Sequence, residues 1–122
     1  MPDGHRREIG KLGEDLASTY LQKQGFTLID RNFTTHWGEL DIVAHKDRKI
    51  YFVEVRTKIG GSKGKPYESI TYRKLQNLKR SINLYLLKKD YKTYKLCLSV
   101  ISIQLNADKS VDTIKFFENV DF

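Results

Sequence analysis

The stretch Gly38-Glu39-Leu40-Asp41-Ile42-Val43-Ala44, followed by Phe52-Val53-Glu54-Val55-Arg56-Thr57-Lys58, decides how this chain folds. Both halves are dense in β-branched and apolar residues, as strands are. The first strand is expected over Glu39–His45, entered through Gly38, and the second over Ile50–Thr57. Lys46-Asp47-Arg48-Lys49 between them is short enough for a hairpin. Residues two apart on a strand share a face. Glu39 and Asp41 therefore share one face of the first strand. Glu54, Arg56 and Lys58 share one face of the second, and pairing could set Asp41 beside Glu54.

Upstream, Ile9, Leu12, Leu16 and Tyr20 recur at helical spacing, which predicts a helix over His5–Gln24 with Gly25 as its stop. A strand follows at Phe26–Phe33. Downstream lies the glycine- and lysine-rich loop Gly60–Pro66. Leu75, Leu78, Ile82, Tyr85 and Leu86 then form the apolar stripe of a second helix, Ser69–Lys89, with Arg73, Asn77 and Arg80 facing away. Leu96–Leu105 carries apolar residues on both faces, as a covered strand does, and Val111–Phe117 reads as a last strand. The order αβββαβ, with a final β, predicts an α/β fold: a mixed sheet flanked by helices.

One domain spanning residues 1–122 suits this length. No apolar run approaches the ~20 residues of a membrane span, the first residues are polar, and the single cysteine, Cys97, forms no intrachain disulfide. A cytoplasmic protein without a membrane partner is the expectation. The net charge of +7 draws the chain toward polyanions, nucleic acid first.

Asp41 and Glu54 are the residues with chemistry to offer. Charges within otherwise apolar strands are costly unless paired or used, and adjacent carboxylates are tolerable with a cation between them. Hard oxygen ligands suit Mg²⁺ or Mn²⁺, and such a site can hydrolyse phosphodiesters. The competing reading is a pair of solvated or salt-bridged acids on an open sheet face. His5, His36 and His45 lack the clustering of a zinc site. Cys97 reads as a small core residue. The Gly60–Pro66 loop fails as a phosphate-binding loop of the nucleotide-hydrolase kind, because Pro66 stands where Ser or Thr should be. It reads equally as a basic loop touching a nucleic-acid backbone through Lys63 and Lys65, or as plain surface. Trp37, Tyr51, Tyr67 and Tyr72 could stack on unpaired bases, although strand aromatics are more often core. Arg73, Lys74, Lys79 and Arg80 could line a phosphate track or simply be solvated.

Taken together, Gly13-Glu14, Gly38 to Ala44 and Phe52 to Lys58 resemble the bacterial YraN family of the PD-(D/E)XK nuclease superfamily, similar to archaeal Holliday-junction resolvases. Tyr20-Leu21, Gly25, Arg31-Asn32, Lys74 and Tyr85-Leu86 extend the likeness over nearly the whole chain. The resemblance implies a restriction-endonuclease-like core and Mg²⁺- or Mn²⁺-dependent endonuclease chemistry on DNA, branched or single-stranded. It implies that Asp41 and Glu54 hold the metal with the carbonyl of Val55, and that Glu14 completes the site. Arg56 takes the place of the motif lysine. Lys58, Lys63, Lys65, Arg73 and Lys74 are the expected nucleic-acid contacts, and a homodimer or a DNA-processing partner is in keeping with the resolvase likeness.

Two departures bear on activity. A guanidinium is effectively never deprotonated, so Arg56 cannot be a general base; Lys58 or Lys74 could supply an ammonium instead. The strand after helix two often carries Arg-Phe-Asp in that family, whereas Cys97-Leu98-Ser99 stands here. Both departures keep open a second reading, a nucleic-acid-binding module of nuclease fold with little or no catalysis.

Overall fold

The computed structural model describes residues 3–60, 71–91, 93–118 and 120, with side chains from residue 6 onward. Along the chain run α1 (Asp3–Lys23), β1 (Thr27–Thr35), β2 (Gly38–Lys46), β3 (Lys49–Ile59), α2 (Tyr72–Lys88), β4 (Lys95–Leu105) and β5 (Val111–Phe117). The strands form one sheet in the order β1-β2-β3-β4-β5. Only the β3–β4 pair is parallel. A parallel pair needs a crossover, and α2 provides it. The expected α/β fold, a mixed sheet flanked by helices with a restriction-endonuclease-like element order, is the observed one.

The β2–β3 hairpin turns through Asp47 and Arg48, whose φ values of 51° and 60° match a two-residue turn of the type that follows strand twist. Alternation then sends successive side chains to opposite faces. Ile42, Ala44, Tyr51, Val53 and the odd-numbered residues Cys97, Ile101, Ile103 and Leu105 pack under α1. Val43, Ile50, Phe52 and Leu98 pack under Leu78, Ile82 and Tyr85 of α2. The two helices thus cover opposite faces, and the sheet between them is buried on both sides.

α1 meets the sheet along a row that its large apolar residues did not announce. Ile9, Gly13, Ala17 and Leu21 are its buried line, while Leu12, Leu16 and Tyr20 pack only partly against the core. Gly13 is required there: a Cβ would collide with Thr57 Oγ1 and stand 3.0 Å from Thr57 Cβ on β3. The missing side chain lets helix and strand touch, and Glu14 rides on that contact.

α2 begins at Tyr72 rather than at Ser69, which lies outside the described residues. The Thr71 side chain caps it by accepting the Lys74 N–H at 3.1 Å. Among the described residues no helix is long and apolar enough to cross a membrane.

Candidate functional site

The antiparallel ladder between β2 and β3 ends at the Ile42–Val53 pair, although both strands continue. Beyond it Leu40 and Glu39 pair only with β1, and Glu54 to Ile59 pair only with β4. The strands fork, and Asp41 and Glu54 stand at the fork. The Val55 N–H, left without a β2 carbonyl, donates to Asp41 Oδ2 at 2.8 Å. One side chain thus replaces a lost rung, as buried backbone donors require.

Other carboxylates converge on Asp41. Glu14 from α1, Glu39 from β2 and Asp41 each offer an oxygen within 4.8 Å of the others. Asn32 holds the first two together. It lies opposite Asp41 on β1, with a φ of 53° that Asn tolerates better than most residues. Its amide nitrogen donates to Glu14 and to Glu39, both at 2.8 Å. Arg31 adds a 2.9 Å ion pair to Asp15 and stands 3.8 Å from Glu14.

The opposite side of the fork is cationic. Glu54 is 5 % exposed, and Lys74 Nζ reaches its Oε1 at 3.0 Å. Arg56 Nε approaches the same oxygen at 3.7 Å. A buried carboxylate needs such pairing. Among the described residues Arg56 Nε and Nη2, though buried, have no hydrogen-bond acceptor. Between the two sides opens a cleft of about 320 Å³, walled by Trp37 and by Arg73, Lys74 and Asn77, with Asp41 and Glu54 in its lining.

The electrostatic consequence falls on Asp41. Burial first, then the negative charge of Glu54, with lesser contributions from Glu14 and Glu39, push its carboxyl up to about 8, against the opposing hydrogen bond from Val55. Without a cation Asp41 is therefore largely protonated at neutral pH. The group has the oxygen donors that hard divalent cations prefer, and a charge deficit that such an ion would remove.

Of the residues read from sequence, Glu14, Asp41, Glu54, Arg56, Arg73 and Lys74 come together at this fork. Val55 meets Asp41 through its N–H. Lys58 pairs with Gln104 in the β3–β4 ladder and is not in the lining of the cleft, so Lys74 is the ammonium at Glu54. Lys63, Lys65 and Tyr67 lie outside the described residues. Tyr51 is core, its hydroxyl donating to Glu118 at 2.9 Å. Ser99 is fully buried and donates to the Glu118 carbonyl, so the site of the missing acid is internal packing. Sequence reasoning noted Glu39 only as a neighbour of Asp41 and gave Asn32 no role. A polar residue directly opposite Asp41 in the neighbouring strand was the available signal for Asn32.

The model of a family described as uncharacterised protein family UPF0102 matches residues 13–108. A UPF0102 protein of Syntrophomonas wolfei is 43% identical over 104 residues, covering 85% of this chain and 90% of its own. UPF0102 proteins of Clostridium kluyveri and Clostridium acetobutylicum are each 35% identical over 113 residues, with 93% of both chains covered.

Proposed function

This chain belongs to the UPF0102 family, the family of the YraN likeness, and we propose that it is a divalent-cation-dependent nuclease that hydrolyses DNA phosphodiester bonds in the cytoplasm. The observation that carries this reading is the Asp41 carboxyl, packed among Glu14, Glu39 and Glu54 at the strand fork and facing a cationic helix.

Asp41, Glu14 and Glu39 would hold Mg²⁺ or Mn²⁺, with Glu54 beside them. When bound, the ion supplies Lewis-acid stabilisation of charge on a phosphoryl oxygen. The chain's own residues do the rest. The Val55 N–H fixes the direction of Asp41, and the Asn32 amide fixes Glu14 against Glu39. Lys74 brings a positive charge to the cleft, where it would offset the negative charge on the oxygens of a pentacoordinate phosphorus as water adds and the sugar oxygen leaves. Arg56 stands behind Glu54, its buried Nε 3.7 Å from the carboxylate, and accepts no proton.

The test is cleavage of linear, single-stranded, flapped and four-way-branched DNA with Mg²⁺, Mn²⁺ or EDTA. Wild type should cut only with metal, and Asp41→Asn should lose roughly 10²–10³-fold. Equal cutting by both proteins would remove Asp41 from the chemistry.

One observation favours a second reading. Glu54 already has two cations, Lys74 and Arg56, and a neutralised carboxylate is a structural ion pair as well as a reactive one. A binding module of this fold would show DNA affinity falling steeply with salt and no cutting with either metal.

A further inference from the structure

We propose that the cleft receives an unpaired nucleobase, stacked on Trp37, with its phosphate beside Arg73 and Lys74; the inference rests on the DNA reading above and narrows it to single-stranded or branch-point substrates. Trp37 is 38% exposed, a large apolar ring left open to solvent. It lines the same cleft as Asp41, Glu54, Arg73, Lys74 and Asn77. A ring and cations in one cleft are the pairing that single-stranded nucleic acid uses, a base on an aromatic face and its backbone on positive charge. The volume, about 320 Å³, lies at the lower end of ligand clefts, ~300–1,000 Å³. That is room for a nucleotide-sized group.

The ring is also held in place. It sits in the β1–β2 turn, and Thr35 Oγ1 organises that turn. Its one proton goes to the Gly38 carbonyl at 2.8 Å. Its lone pairs accept the Trp37 N–H at 3.1 Å and, at 2.7 Å, the hydroxyl of Ser81, which is buried on α2. Gly38, with a φ of 131°, completes the turn in a conformation other residues rarely adopt. His36 meets the ring edge-on at 5.8 Å, which leaves a face for a ligand. The platform is thus tied to the helix that carries Arg73, Lys74 and Asn77, so stacking costs little ordering.

Trp37 is the only tryptophan in the chain, so its fluorescence reports on this wall alone. The experiment titrates the protein in EDTA with a short oligothymidylate. An abasic oligomer with the same phosphates and a blunt duplex are titrated in parallel, and binding is followed independently by anisotropy of a labelled end. Oligothymidylate should quench the fluorescence, and the abasic strand and the duplex should not. Trp37→Ala should weaken oligothymidylate binding roughly 5- to 150-fold and leave abasic binding unchanged. Trp37→Phe should recover most of the loss. Tyr72→Ala removes a ring that is 77% exposed outside the cleft lining and should bind like wild type. Unchanged fluorescence on a bound oligothymidylate, or oligothymidylate binding by Trp37→Ala as tight as that of wild type, would overturn the inference. Metal-dependent cutting is scored separately: cutting without stacking overturns this inference alone, and stacking without cutting overturns the nuclease reading alone.

Discussion

The two ends of the β2–β3 hairpin obey opposite rules. From the Asp47–Arg48 turn to the Ile42–Val53 pair, the strands are zipped and their apolar side chains are buried on both faces. Past that pair the ladder stops, carboxylates replace β-branched residues, and side chains take over the backbone's hydrogen bonds. The closed end stabilises the protein. The open end spends stability to collect like charges, as functional sites commonly do. Its strand separation lets Glu14 of α1 and Lys74 of α2, on opposite faces of the sheet, both reach the fork.

The largest effect is expected at the closed end. Ile42→Ala should cost about 2–5 kcal/mol in chemical unfolding, because Ile42 is fully buried beneath α1. The conformation of the fork should survive in the folded fraction. A loss below ~1 kcal/mol would show that the closed end is not the core it looks like.

Gly13→Ala should come next, at about 1–3 kcal/mol of overpacking. The added Cβ meets Thr57, a short and stiff side chain, so α1 must move and carry Glu14 away from Glu39. Restoration by the double change Gly13→Ala with Thr57→Gly would identify the collision as the cause.

The open end should respond to pH in the metal-free protein. Asp41 titrates at about 8 when folded, against 3.8 for the ordinary carboxyl. Between those values the native state keeps a proton that the unfolded chain has released. Stability from this group is therefore complete below pH 3.8 and is lost as pH rises through about 8. The slope, measured as the difference between wild type and Asp41→Asn, should be negative across that window and should flatten with Mg²⁺. At pH 8 and above, metal-free Asp41→Asn should melt higher than wild type, since an amide can still accept from Val55 without the repulsion.

The smallest effect is expected at Asn32. Asn32→Ala removes two partly exposed hydrogen bonds, about 1 kcal/mol of stability. It should weaken Mn²⁺ binding roughly 10-fold by freeing Glu14 and Glu39, and isothermal titration would read both constants. Unaltered metal affinity would leave Asn32 a purely local clamp.

The hairpin was legible because alternation and a short connection are local properties, and they put Asp41 and Glu54 where pairing could bring them together. The α2 stripe was legible for the same reason: Leu78, Ile82 and Tyr85 are large and recur at helical spacing. The working row of α1 was not, since Gly13 and Ala17 matter by being small, and smallness gives no hydrophobic period. The lysine that supplies an ammonium to the site was open between Lys58 and Lys74. Strand alternation favours the first, being nearer in sequence, but β3 carries Lys58 along the β4 ladder while α2 returns Lys74 to the fork.

The sequence by itself determined the element order, the covered sheet and the pair of acids at its centre, because each follows from the period of neighbouring residues. Only the tertiary structure decided that Glu14, Glu39 and Asp41 gather on one side and Glu54 with Lys74 on the other, around a cleft edged by Trp37. That division depends on where two strands part and how closely two helices approach them, and both are set by packing between residues far apart in the chain.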